Sequence, residues 1–497
     1  MLLRQLAHGS LFVLCAAQLD ATSYVIATLS DDAVNNGNCT LREALRAADT
    51  NLPVDSCAAG GSSDTINLPN GTYPFAGGEV LTASGSLTIQ SQTLNPFNVS
   101  IDLGNAGNFI YLQGGGSFVL DGLEIKNGMA PGPFFLGGAI DAHAVSLEIR
   151  NFRFLSNHAT TGGGAVNYES NAATNLFVHN GAFLSNGVLG NASSASAGGA
   201  ARVSALNGAD ADFRDVTFLG NSAASSSGFA VQGGALRFET DSSGSIASCS
   251  RCSFQNNTAV STVSAGATGA FHSTAFNGST TQLLDCRFSS NSATGGGANL
   301  KAAAVAAGSN SGSTVLFERL FVDFNGGAAA DPATYDMVLD GFGGTMALVD
   351  SQLTFGAAGG LNVTTNSIAT LGHLTIADYS TFGATLVANS GQILLQNSIV
   401  AFSVSDLGTA GNVVQTTNFI GGDPLFLNEP GGDYHLSASS LALGSGTNGA
   451  VSVRLADLEH HGRIVGVATD IGCYEFDGLF ADNFEVRDTG SWSATMP

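Results

Sequence analysis

Gly233-Gly234-Ala235-Leu236-Arg237-Phe238-Glu239 opens, and Phe254-Gln255-Asn256-Asn257 closes, the unit whose repetition decides the fold. The opening recurs as Gly137-Gly138-Ala139-Ile140, Gly163-Gly164-Ala165-Val166, Gly198-Gly199-Ala200 and, with Thr for the first Gly, Thr268-Gly269-Ala270-Phe271. The close recurs as Phe154–Asn157, Phe183–Asn186, Phe218–Asn221 and Phe288–Asn291, in steps of 29, 35, 36 and 34 residues. A period in this range marks a solenoid, in which each unit stacks on its neighbour.

Each motif position has a structural reason. The Gly pair suits a corner where a Cβ would clash or φ must be positive. Ala keeps the first inward position small, and the closing Phe should point inward and stack on its counterparts. The Asn three residues later can bond the backbone of its own turn and the Asn of the next coil. Side chains alternate along a strand, so Ile140, Val166, Ala201, Leu236 and Phe271 should point in, as should Ala142, Tyr168, Val203, Phe238 and Ser273. The intervening positions then form two outward rows. One runs Asp141, Asn167, Arg202, Arg237, His272, and the other His143, Glu169, Ser204, Glu239, Thr274. Aligned basic groups on a protein of formal charge −23 need carboxylates or an anionic ligand beside them. Asp141, His143, Glu169, Arg202, Arg237, Glu239 and His272 are therefore the candidates for contact with a polar polymer such as a polysaccharide.

Gly is 65 of 497 residues, Lys only two, and charged residues 11 % against 44 % apolar. With Ser, Thr, Asn, Val and Phe abundant, this reads as an all-β chain rich in turns, one elongated domain rather than several. The acidic balance argues against nucleic acid, whose phosphates demand clustered Lys and Arg. Arg4, the apolar run Leu11–Leu14 and the small Ala17 or Ala21 predict an export signal over residues 1–21. Leu14 stands where a small residue would precede a lipoprotein cysteine at Cys15, and no later stretch is long and apolar enough for a transmembrane helix.

Six cysteines follow the signal, an even number that favours disulfides in an exported chain. Cys39–Cys57 would close a short polar loop, worth about 3 kcal/mol on chain-entropy grounds. Cys252 and Cys286 each precede a repeat Phe by two residues and should stack in adjacent coils. With Cys249, they read as core cysteines, bonded or not, in preference to a zinc site. Neither metal nor cofactor is expected.

Cys39-Thr40-Leu41-Arg42-Glu43-Ala44-Leu45 predicts the one helix, with Thr40 capping it, Glu43 three residues on, and Leu41, Leu45 and Ala48 on one face. An amphipathic helix here would close the open end of the solenoid. The segment resembles the C-S-L-R-E-A motif of bacterial exported β-helix proteins, with Thr for Ser; Gly60-Gly61-Ser62-Ser63-Asp64-Thr65-Ile66 and Asp470-Ile471-Gly472-Cys473-Tyr474 also suit that family. The resemblance implies secretion and a right-handed parallel β-helix. The expected organisation is a cap over 22–63, the β-helix over 64–420, its end segment over 421–476 and a polar tail over 477–497.

The repeat itself resembles the Gly-Gly-Ala-Ile and Phe-x-x-Asn pairs of polymorphic outer-membrane proteins, which are β-helical adhesins. Those end in an outer-membrane barrel; this chain has no series of ten-residue alternating strands at its C-terminus. The resemblances imply a bacterial secreted or cell-surface protein, expected as a monomer, that adheres to a polysaccharide or to a host or matrix surface polymer without catalysis. Many β-helices are polysaccharide lyases or hydrolases, and Asp141, Glu169, Arg237 and Glu239 lie in a suitable region. Asp336, Asp340 and Asp350 do not converge on an obvious site. A passive extracellular spacer is the third reading.

Overall fold

A computed structural model describes residues 21–82, 85–130, 132, 136–170, 174–190, 196–226, 230–261, 266–295, 301–326, 334–356, 358–450 and 455–476. The expected signal peptide, with its Cys15, and the tail over 477–497 lie outside the described residues, except for position 21. The chain winds as a right-handed parallel β-helix whose strand-to-strand pairings are parallel from Ser23 to Ile420, isolated bridges apart.

Each lap of the repeat region has three sides separated by single residues in the left-handed region. In the lap through Ile140 these corners are Ala144, Asn151 and Ser156. The first side holds Ile140–His143, Val166–Glu169, Ala201–Leu206, Leu236–Asp241 and Phe271–Ala275, paired in register. The second corner recurs at Asn180, Asp215, Arg251, Asp285, Arg319, Asp350, His373 and Asn397. Its charges alternate and pair from lap to lap: Arg251 with Asp215 at 2.7 Å, and Arg319 with Asp285 at 2.6 Å.

The expected inward rows are inside, and Phe154, Phe183, Phe218, Phe254 and Phe288 form one interior column. Successive rings lie 5.3, 5.1, 4.6 and 4.6 Å apart and nearly parallel. Each such burial contributes about 1.5–3 kcal/mol. Beneath the column runs a buried ladder of Asn157, Asn186, Asn221, Asn257, Asn291 and Asn325. Each amide nitrogen donates to the Oδ1 of the next Asn at 2.9–3.0 Å. Its second bond goes to a main-chain carbonyl of the preceding lap, as from Asn221 to Phe183; the expected bond to its own turn is made by Asn325, at the end of the ladder, to the Asp323 carbonyl at 3.0 Å. These bonds satisfy buried main-chain carbonyls at the corner. The second Gly of each pair is needed for close approach: a Cβ on Gly199 would fall on the carbonyl oxygen of Gly234.

After each Asn, the repeat laps add an excursion. His158–Ala159, Gly187–Gly190, Ser222–Ser225, Thr258–Ser261 and Ser292–Gly295 stack as a second parallel sheet outside the solenoid. Later laps need only 24 residues, so the excursion accounts for the longer period.

Helix α1 (Leu41–Thr50) closes the N-terminal end, with Thr40 and Glu43 forming the capping box. Arg42 turns inward over the Phe75 ring and pairs with Asp31 and Glu79 at 2.6 and 2.5 Å. Cys39 and Cys57 are disulfide-bonded, as expected. At the other end, residues 421–450 and 455–476 leave the solenoid and fold back along the third side of the last laps. There Tyr474 donates to Gln352 at 2.7 Å and the Gly472 N–H to the Asn397 carbonyl at 2.8 Å. Tyr434, Leu458 and Cys473 pack with Ala377 under this strap.

The stacked cysteines resolve into one bond and one thiol. Cys249 and Cys252 form a disulfide within a lap, and Cys286 is a buried free thiol in the next. The three sulfurs lie within 4.8 Å of one another, and burial pushes the Cys286 thiol up to about 12.

Candidate functional site

The first-side row stacks in the expected register, yet it does not face open solvent. Asp141 and Asn167 are fully buried. Asp141 accepts from the Leu136 N–H at 2.9 Å, from His143 Nε2 at 2.9 Å and from the Asn167 amide at 2.8 Å. Arg202 donates to Asn167 at 3.1 Å and lies 3.9 Å from Glu169. Arg237 pairs with Glu239 at 2.8 Å, while its Nε is buried without an acceptor. Burial, with a smaller contribution from Arg202, lowers the Arg237 pKa. His272 contacts the hydroxyls of Thr268 and Thr274, and burial followed by the Arg237 charge pushes it down to about 3. It is therefore neutral at ordinary pH. The hydrogen bond to Asp141 raises His143 instead.

The row thus satisfies most of its own polar needs at the base of a cleft. His143, Glu169 and Glu239 keep between a quarter and two fifths of their side chains accessible. Asp336 and Asp350 lie apart from it and from each other's partners. Asp336 accepts from Tyr379 at 2.9 Å, and Asp350 pairs with Arg463.

The second side carries what the sequence reading missed. Glu148, Phe177, His179, Asn180, Asp212, Arg214 and Asp215 line an open groove of about 330 Å³. Strands Ser146–Leu155, Leu176–Leu184 and Asp210–Leu219 place Phe177 in register between Glu148 and Asp212. The next position along the same strands aligns Arg150, His179 and Arg214. Phe177 is 40 % exposed, on the outward phase of a strand whose Leu176, Val178 and Phe183 are buried.

Every charge in the groove is held. Glu148 accepts from Arg150 at 2.9 Å and His179 at 3.2 Å. Asp212 pairs with Arg214 at 2.5 Å and accepts from the Ser248 hydroxyl at 2.7 Å. Asp215, at the corner, is bound by Arg251, whose hydrogen bond lowers its pKa. The signal was in the sequence: Leu176-Phe177-Val178-His179 alternates, and Phe177 falls on the outward phase. Strands spaced about 4.8 Å put Glu148 and Asp212 roughly 10 Å apart at the backbone, on opposite flanks of the ring.

No protein-family model matches the chain, and neither does any curated protein. Among solved structures, the chain is similar to the pectate lyase Pel9A, with 12 % identity, 92 % of this chain and 96 % of that chain covered, and a TM-score of 0.36. It is also similar to the catalytic domain of a GH87 alpha-1,3-glucanase in complex with tetrasaccharides, at 12 % identity and a TM-score of 0.37. That match covers 71 % of this chain and 63 % of that chain. Both likenesses concern the β-helix architecture.

Proposed function

We propose that this protein is a secreted or cell-surface β-helix, acting as a monomer, that adheres to polysaccharide without turning it over. The observation that carries the reading is Phe177, an accessible ring on a rigid sheet, flanked in register by two carboxylates that are themselves fixed by neighbours. Carbohydrate sites combine an apolar platform with a few convergent polar groups, and sites on strands are better positioned than sites on loops. The two disulfides agree with an oxidising, extracellular setting. Among the described residues, no helix is long and apolar enough to cross a membrane. The accessible members of the first-side row, His143, Glu169 and Glu239, are a secondary contact strip.

One observation favours a second reading. Two carboxylates on either flank of a groove, separated by two strand spacings, are also how an inverting glycoside hydrolase is laid out. A glycan array run beside an assay for reducing or unsaturated sugar ends separates the two. Binding without release supports adhesion. Release of sugar ends that disappears in both Glu148→Gln and Asp212→Asn would replace adhesion with hydrolysis.

A further inference from the structure

Resting on that reading, the geometry points to the class of sugar: the second-side groove takes a neutral hexose chain, one pyranose ring stacked on Phe177, and rejects polyuronates. A pyranose with equatorial hydroxyls has a face of C–H bonds and a rim of hydroxyls. The face suits an exposed aromatic ring. The rim hydroxyls both donate and accept, so they can be met by the acceptors Glu148 and Asp212 and by the donors His179, Asn180 and Arg214.

Charge decides against an acidic sugar. Each arginine around the groove is already engaged: Arg150 with Asp121 and Glu148, Arg214 with Asp212, and Arg251 with Asp215. A uronate carboxylate would meet Glu148, Asp212 and Asp215 and would compete with them for arginines that each already carry a carboxylate. The molecule's charge of −23 adds a repulsive field at longer range. A neutral hydroxyl displaces nothing.

The neighbouring laps continue the same chemistry. In register beyond Asp212 come Ser248 and then Gln282, and on the other side of Glu148 come Val119 and Thr88. Beyond the two carboxylates the row therefore continues in uncharged side chains, Ser248 and Gln282 on one side and Val119 and Thr88 on the other. The strand spacing of about 4.8 Å is close to the length of one hexose in an extended chain, so one ring per lap can run along the solenoid axis.

Titration calorimetry in 0.15 M salt compares cellohexaose and laminarihexaose with hexagalacturonate, using the full chain. At least one neutral hexasaccharide should bind at least tenfold more tightly than hexagalacturonate. Phe177→Ala should weaken that binding at least tenfold and Phe177→Trp should retain it, with the thermal midpoint of both variants unchanged. Tighter binding of hexagalacturonate, or neutral binding untouched by Phe177→Ala, would overturn the inference and leave polysaccharide binding standing. Absence of binding to any of the three, together with a blank glycan array, would remove both.

Discussion

Arg463 and Asp350, 113 positions apart in sequence, form an ion pair in which neither side chain is exposed. Arg463 also donates to the carbonyls of Gly472 and Cys473, at 3.1 and 3.0 Å. Asp350 is the left-handed second-corner residue of its lap, where earlier laps pair Asp215 with Arg251 and Asp285 with Arg319. The strap thus supplies the cation for this corner from outside the solenoid. Removing one partner of a buried pair leaves an uncompensated charge, at a cost of about 3–5 kcal/mol. Arg463→Met should loosen the strap by that amount, read as earlier proteolytic release of residues 421–476 along a urea series. Adding Asp350→Asn should restore part of the loss. Full resistance of Arg463→Met to proteolysis would show the pair to be dispensable.

The Asn ladder makes a separable prediction. Asn221 satisfies the Phe183 carbonyl and the Oδ1 of Asn257, and its own Oδ1 accepts both the main-chain and amide N–H groups of Asn186. Asn221→Ala would strand several buried polar groups, each worth about 1–3 kcal/mol. We expect a loss of about 3 kcal/mol or more in chemical denaturation. Asn180→Ala, at an exposed-side corner, should cost less.

His435 ties the strap's stability to pH. Burial by itself would lower its pKa, but hydrogen bonds with Glu459 and Asp433, at 3.1 and 2.7 Å, raise it from 6.5 to about 9. The folded state therefore holds this proton more tightly than the unfolded one. The contribution is complete below pH 6.5 and is lost as pH rises through 9. Protection of the amides of residues 433–436, taken relative to their intrinsic exchange rates, should fall between those limits, and His435→Gln should flatten the dependence.

His272 behaves in the opposite sense. Its pKa of about 3 keeps it neutral when folded, so its contribution is present above pH 6.5 and declines as pH falls below that value, levelling off near 3. Its imidazole resonances should not titrate between pH 8 and 5. Titration near 6.5 would show that the first-side cleft is open to water.

The reach of the sequence can be judged from these same residues. The Phe column, the Gly pairs, the Asn ladder and the capping helix were legible because each repeats, or caps, at fixed spacing, and a solenoid turns spacing into contact. The Cys39–Cys57 bridge was legible from its short loop. The second sheet was not: its buried column, Ala159, Val188, Ala223, Ala259 and Ala293, follows each ladder Asn by two residues but is mostly alanine, too small to announce a core. Nor did anything local announce that Arg463 would reach Asp350. Phe177 is legible in principle from its alternation, but it lies one corner beyond the Gly-Gly-Ala motif that marks the first side, in a strand with no recurring motif of its own.

Binding on the second side is tested most directly by a crystal structure of the protein with a neutral hexasaccharide. One sugar ring should lie against Phe177, with its hydroxyls toward Glu148 on one flank and Asp212 on the other. A saccharide seated instead over the Asp141–His272 row, with the Phe177 groove empty, would contradict that assignment.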